Sequence, residues 1–236
     1  MKKSLIIIPI LLVLGAFGAY MYMRWQENKI DKWAFVPENS ILVFEPTELG
    51  SLLHSDSELK ILANLQSLDD WSKLKTLLDT VDNQVNSTTS LKNILDNSSM
   101  LISMHQGNKA QLANLYIMEV DEIDQHSYLS SVLNYLEDDK GFKKIQRVYQ
   151  GYEVNEYKKD EVEFAYLFYK HFLIASFTPY LVDDAIRELD RLKKDIYGQK
   201  NKMALTTSNP LAGSGRVYFN TKELTTFIKM LSLIHI

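Results

Sequence analysis

The side chains able to do chemistry in this 236-residue chain are few and scattered. Five histidines, His54, His105, His126, His171 and His235, lie far apart in sequence. None sits in an H-E-x-x-H pattern, which would put two imidazoles on one helical face for zinc. Of three acidic pairs, Asp69-Asp70, Asp138-Asp139 and Asp183-Asp184, the first could be imagined as a general acid and base. Asp69-Asp70, however, precedes the amphipathic run of Trp71, Leu74, Leu77, Leu78 and Val81, where carboxylates favour a helix N-terminus. The other two pairs fall where they would cap or solvate helix ends. There is no glycine-rich phosphate loop and no G-x-S-x-G elbow. The absence of cysteine excludes disulfides, thiolate metal sites and a lipid-modified cysteine anchor. The sequence therefore assigns no catalytic residue, no metal ligand and no cofactor site, and an enzyme is not expected.

Two further features could bind rather than react. Tyr149, Tyr152, Tyr157, Phe164, Tyr166, Phe168, Tyr169, Phe172 and Phe177 crowd one β-rich stretch and could form a platform for sugars or peptides. Aromatics also favour strands and fill the space beneath helices, and that is the expected role. Asn86-Ser87-Thr88 and Asn97-Ser98-Ser99 fit the N-glycosylation pattern, which is short enough to arise by chance.

What would position such residues is set first by the N-terminus. Lys2 and Lys3 precede nineteen uncharged residues, Leu5 to Met23, followed by Arg24 and Trp25. As a helix this run would reach roughly 28 Å, close to the hydrocarbon thickness of a bilayer. A cleaved signal peptide ending near Ala16-Phe17-Gly18 is the competing reading. The uncleaved anchor is favoured because apolar residues continue through Met23 and because Tyr20, Tyr22 and Trp25 suit an interfacial belt. The basic N-terminal tail then stays in the cytoplasm, so the expected location is the inner membrane, single-pass, with the bulk of the chain periplasmic or extracellular. From Trp25 onward, 23 of the 26 Lys and Arg remain against all 30 Asp and Glu, a formal charge of −7, and no basic cluster suits nucleic acid.

The expected fold is α+β, a mainly antiparallel sheet covered by helices and preceded by one N-terminal transmembrane helix. Trp25 to Val36 reads as a stalk, and residues 37–212 as the extracytoplasmic domain. Ile41 to Phe44 is a continuous apolar run bounded by Pro37 and Pro46, which predicts a central strand. Met100 to His105 and Gln111 to Val120, joined through Gly107-Asn108, predict a hairpin. Four more strands are expected, Phe142 to Tyr149, Tyr152 to Lys158, Val162 to Tyr169 and Phe172 to Phe177. Their turns fall at Gln150-Gly151, Lys159-Asp160 and Lys170-His171. Apolar spacing predicts helices within Ser57 to Val81, over Asp124 to Leu136, and from Pro179 with Leu181, Val182, Ala185, Ile186, Leu189 and Leu192 on one face.

The last stretch repeats the first. Val217 to Ile228 lies over Leu42 to Leu53 at a constant offset of 175, with apolar strand on apolar strand and three of twelve positions identical. Any two strand-to-helix junctions share some of this pattern. Taken as a repeat, residues 213–230 begin a second unit. Leu231-Ser232-Leu233-Ile234-His235-Ile236 is what a transposase adapter for sequencing libraries encodes, so the natural chain is expected to continue past Met230.

Phe35-Val36-Pro37-Glu38-Asn39-Ser40-Ile41-Leu42-Val43-Phe44-Glu45, with the strands Phe164-Ala165-Tyr166 and Ile174-Ala175-Ser176-Phe177 and the helix start Leu181 to Ile186, resembles a family of uncharacterised membrane-anchored Bacteroidota envelope proteins. In that family a "VP-x-x-x-hydrophobic" strand opens a domain of unknown function. The resemblance implies a longer envelope protein and supplies no catalytic residue. The expected function is a membrane-anchored extracytoplasmic module with a structural or binding role. Its expected partners are the lipid bilayer, through Leu5 to Met23, and an envelope protein. The alternative is a hydrolase-like envelope enzyme whose catalytic part lies outside this chain.

Overall fold

The computed structural model describes residues 30–47, 98–107, 112–120, 141–159, 162–194, 205–207 and 215–234. Among the described residues nine strands form one sheet: β1 (Leu42–Pro46), β2 (Met100–Gln106), β3 (Leu112–Glu119), β4 (Lys143–Tyr149), β5 (Tyr152–Lys159), β6 (Val162–Tyr169), β7 (Phe172–Ser176), β8 (Leu205–Thr207) and β9 (Gly215–Asn220). Their order across the sheet is β4-β5-β6-β7-β3-β2-β1-β9-β8, and every neighbouring pair is antiparallel. A 3-10 turn, Lys32–Phe35, precedes β1, and two α-helices, α1 (Pro179–Lys194) and α2 (Thr221–Ile234), follow β7 and β9.

The α+β expectation is thereby corrected. Among the described residues the molecule is mostly antiparallel sheet with two α-helices, and no helix is long and apolar enough to cross a membrane. The sheet dominates because residues 143–176 pair each strand with the next as an antiparallel meander, adding four strands and, as the sequence spacing anticipates, no helix, and because β1, β9 and β8 continue the same sheet. The transmembrane span over Leu5 to Met23 and the helices expected within Ser57 to Val81 and over Asp124 to Leu136 lie outside the described residues.

Turn chemistry fixes the meander's register. Gln150 and Gly151 both have positive φ, 49° and 85°, the pairing that a type I′ hairpin turn requires, and Tyr149 faces Tyr152 directly. The turn at Lys170-His171 closes Tyr169 onto Phe172 without glycine and leaves Lys170 at φ 54°. The left-handed region is unfavourable for a residue with a Cβ, so this turn is held by the strands it joins.

Alternation along the strands gives the sheet two buried faces. On one lie Val43, Leu101, Leu115, Ile117, Leu167 and Ile174, against which α1 packs Leu181, Val182, Ala185, Ile186 and Leu189, all at most 1 % exposed. That stripe matches the helical spacing read from the sequence. Each of the leucine, isoleucine and valine side chains contributes roughly 1.5–3 kcal/mol through removal from water. The 3-10 turn joins the same core. Asp31 caps it by accepting from Trp33 N at 3.0 Å, and Phe35, fully buried, meets Phe172 at 5.1 Å between ring centroids. Residues 30–36, placed in the stalk by the sequence reading, thus pack into the domain core. The opposite face carries Tyr157, Tyr166 and Ala175 with Phe164, Phe168 and Leu173 around them.

At the seam between β1 and β9 the backbones approach closely. Gly215, at φ 147°, sits where a Cβ would meet the Glu45 carbonyl oxygen, lie 2.8 Å from Phe44 Cε2 and lie 2.9 Å from Pro46 Cα. Backbone contact of this kind cannot yield as a flexible side chain can. Gly215→Ala is expected to lower stability by roughly 1–3 kcal/mol through strain and overpacking. Denaturant unfolding checks this, and a change within error of zero would place Gly215 away from the seam.

Candidate functional site

At one end of this seam the chain builds a polar cleft of about 360 Å³, lined by Lys32, Glu45, Thr47, Ser98, Ser99 and Arg216 among others. Glu45, one residue before the end of β1, stands opposite Arg216 of β9 in the strand register. Lys32 comes from the 3-10 turn and Ser99 from the residues leading into β2. Lys32 Nζ lies 2.7 Å from Glu45 Oε1 and 2.5 Å from Ser99 Oγ, while Tyr218 OH donates to Glu45 Oε2 at 2.9 Å. Trp33 meets the Tyr218 ring edge-on at 4.8 Å. Burial pushes the Glu45 carboxyl up, but hydrogen bonds from Lys32 and Tyr218 and the charges of Lys32 and Arg216 outweigh it and hold the group below its ordinary value. Burial and the Glu45 carboxylate raise Tyr218.

This chemistry suits recognition better than proton transfer. A general base works best with its pKa moved toward neutrality, and Glu45 moves the other way with both oxygens engaged. Two cations and one anion leave the cleft net positive, with serine and threonine hydroxyls at its rim.

A second constellation has the outline of a nucleophile, a base and an orienting group. Ser103 Oγ lies 2.8 Å from His105 Nε2, and His105 Nδ1 lies 3.1 Å from Asn39 Oδ1. Ser103 also donates to Ser40 Oγ at 2.9 Å, and Ser40 donates to the Leu42 carbonyl at 3.2 Å. Ser40, Ser103 and His105 are at most 1 % exposed, so no substrate reaches Ser103 in this conformation. Here the hydroxyls and imidazole satisfy one another and pin the segment before β1 to β2. Asn220 Nδ2 donates to the Glu38 carbonyl at 3.0 Å and Arg191 pairs with Glu38 at 2.9 Å, so β9 and α1 meet at the same segment.

The two described histidines are not brought together. His105 lies in β2 and His171 in the turn before β7, 3.5 Å from Glu119. His54, His126 and His235 lie outside the described residues. Among the described residues no group of three or more His, Asp or Glu could hold a metal ion. Asp183 and Asp184 sit inside α1, where Asp183 receives Arg147 Nη2 from β4 at 2.7 Å and Asp184 pairs with Arg187, so they brace the helix instead of capping it. Asp69-Asp70 and Asp138-Asp139 lie outside the described residues.

The aromatic residues divide between the two faces. Tyr149, Tyr152, Tyr169 and Phe172 lie under α1, whereas Tyr157, Phe164, Tyr166 and Phe168 lie on the other side. No common platform results, and Lys193 already covers Tyr152 and Tyr169 at 5.1 and 4.6 Å from their ring centroids. Sequence reasoning missed the cleft, because Lys32, Glu45 and Arg216 carry no motif. Only the pairing of β1 with β9 sets Glu45 opposite Arg216.

No protein-family model matches this chain, and no curated protein or solved structure matches it either.

Burial lowers the pKa of His105 from 6.5 to about 4. Between those values the unfolded chain takes up a proton that the folded chain refuses. The stability present above pH 6.5 is therefore lost as pH falls toward 4, by about 3 kcal/mol in total. Unfolding free energies at pH 7 and pH 4.5, for the parent and for His105→Gln, check this. The parent should lose more than the variant, and equal losses would place the acid sensitivity elsewhere.

Proposed function

We propose that this chain is a membrane-held extracytoplasmic module with a binding or scaffolding role in the cell envelope. The observation that carries the non-enzymatic part is the state of the two candidate bases. Glu45 is held as an engaged carboxylate below its ordinary pKa, and His105 is sealed with Ser103 inside the sheet. A membrane-side location is supported by the uncharged stretch from Leu5 to Met23 behind Lys2 and Lys3. The open, net-positive cleft between Glu45 and Arg216 is the surface best suited to a partner.

One observation favours the second reading, an envelope hydrolase: Ser103, His105 and Asn39 stand at the distances of a serine, a base and an orienting group, although the Ser103 proton is directed to Ser40 and not to the imidazole. The two readings separate under a fluorophosphonate probe, which reacts covalently with activated serine. The module reading expects no labelling that depends on Ser103, with Ser103→Ala as the control. Labelling lost in that variant would favour the hydrolase. A phosphatase reporter fused after Met230 is expected to be active, and an inactive one would put the domain on the cytoplasmic side.

A further inference from the structure

The buried hydrogen bonds beside β1 run in one direction, and a carbonyl fixes which. Leu42 O can only accept, so the single hydroxyl proton of Ser40 lies on the 3.2 Å bond to it. Ser103 must then give its own proton to Ser40 Oγ, 2.9 Å away. With that proton committed, the 2.8 Å contact between Ser103 Oγ and His105 Nε2 takes its hydrogen from the ring. His105 is therefore the Nε2–H tautomer when neutral, and its Nδ1 is a bare acceptor. Burial favours that neutral form. Across from Nδ1, at 3.1 Å, stands the end of the Asn39 amide. Its oxygen in this place suits only the protonated ring, in which both nitrogens donate. For the neutral ring the amide nitrogen must stand there, and a half-turn of the side-chain end exchanges the two atoms. The donors then follow one another from Asn39 through His105, Ser103 and Ser40 to the Leu42 carbonyl. This polarity runs against an activated serine, because the ring gives Ser103 a proton instead of taking one.

We propose that Asn39 is a proton-coupled latch on His105: its amide nitrogen closes on Nδ1 while the ring is neutral, and uptake of a proton at Nδ1 turns the amide so that its oxygen accepts. Position allows the turn. Ser40, Ser103 and His105 are at most 1 % exposed, whereas Asn39 is exposed, so of these side chains Asn39 is the one that borders water. The rest of the chain of bonds keeps its direction, since Nε2, Ser103 and Ser40 donate in both states. Among the described residues the charged groups beside this segment are already engaged with one another. Arg191 of α1 holds Glu188 at 2.6 Å and Glu38 at 2.9 Å. β3 sets Ala113 opposite His105, β9 brings the neutral Asn220 to the Glu38 carbonyl, and Tyr180 of α1 donates to the Gln106 carbonyl at 3.3 Å. Burial is thus what disfavours the charged ring, whose pKa falls to about 4. The state of a buried imidazole is carried to the surface at the segment where β9 and α1 meet.

Nitrogen NMR on the isotope-labelled full chain tests the latch. At pH 7 His105 is expected as the Nε2–H tautomer, with a through-hydrogen-bond coupling between Asn39 Nδ2 and His105 Nδ1. That coupling should vanish as the folded chain is acidified and the ring titrates. Asn39→Asp offers only acceptors at this place, so it should favour the charged ring and raise its pKa by about 1–3. Because Asn39 is exposed, the variant should fold as the parent does. A neutral Nδ1–H tautomer, an absent coupling at pH 7, a ring that stays neutral until the chain unfolds, or an unchanged His105 pKa in Asn39→Asp would each overturn the proposal.

Discussion

The fold depends on β1 having a strand on each side. Five residues that are apolar at their core, Leu42 to Pro46, accept β2 along one edge and β9 along the other. Through them the chain's early and late segments become one sheet. A strand in this position has no free backbone edge, so its N–H and C=O groups must be met by neighbours distant in sequence. Gly215 makes that possible on the β9 side, since any side chain there would collide with Glu45 and Phe44. The cleft, the Glu45–Arg216 opposition and the buried Ser40–Ser103–His105 network all sit on or beside this strand.

The two polar constellations show how position decides chemistry for similar residue types. The imidazole and hydroxyls around His105 are enclosed by β1, β2 and the segment at Glu38, where burial favours the neutral ring and mutual hydrogen bonding replaces water. The carboxylate of Glu45 lies at the strand's end, only half-buried, where Lys32 and Tyr218 favour the charged form. The first arrangement joins elements of the fold. The second presents charge at an open surface, and for that reason it supplies the candidate site.

Much of the sheet was legible because its signals are local. Turns at Gln150-Gly151 and Lys170-His171 and period-two alternation place β4 to β7 within a residue or so of the expected ends, and the stripe from Leu181 to Leu189 defines α1. The balance of helix to sheet differs from the expectation because β1, β9 and β8 join the hairpin and the meander in one nine-stranded sheet among the described residues, whereas the runs within Ser57 to Val81 and over Asp124 to Leu136 lie outside them. The cleft was not legible at all. It depends on pairing between strands about 175 residues apart and on a 3-10 turn folding Lys32 back over β1, and neither leaves a pattern in the sequence.

The central claim, that β1 is enclosed on both edges, is tested most directly by native-state hydrogen exchange of the Val43 and Glu45 amides. By alternation from the Ile41 carbonyl, which accepts from Asn220, these two face β9. Their exchange should require opening of the sheet and rank among the slowest in the chain, with opening free energies close to that of global unfolding. If instead they exchange as fast as the exposed turn at Gln150 and Gly151, β9 is not paired with β1 and the account of the seam and cleft fails.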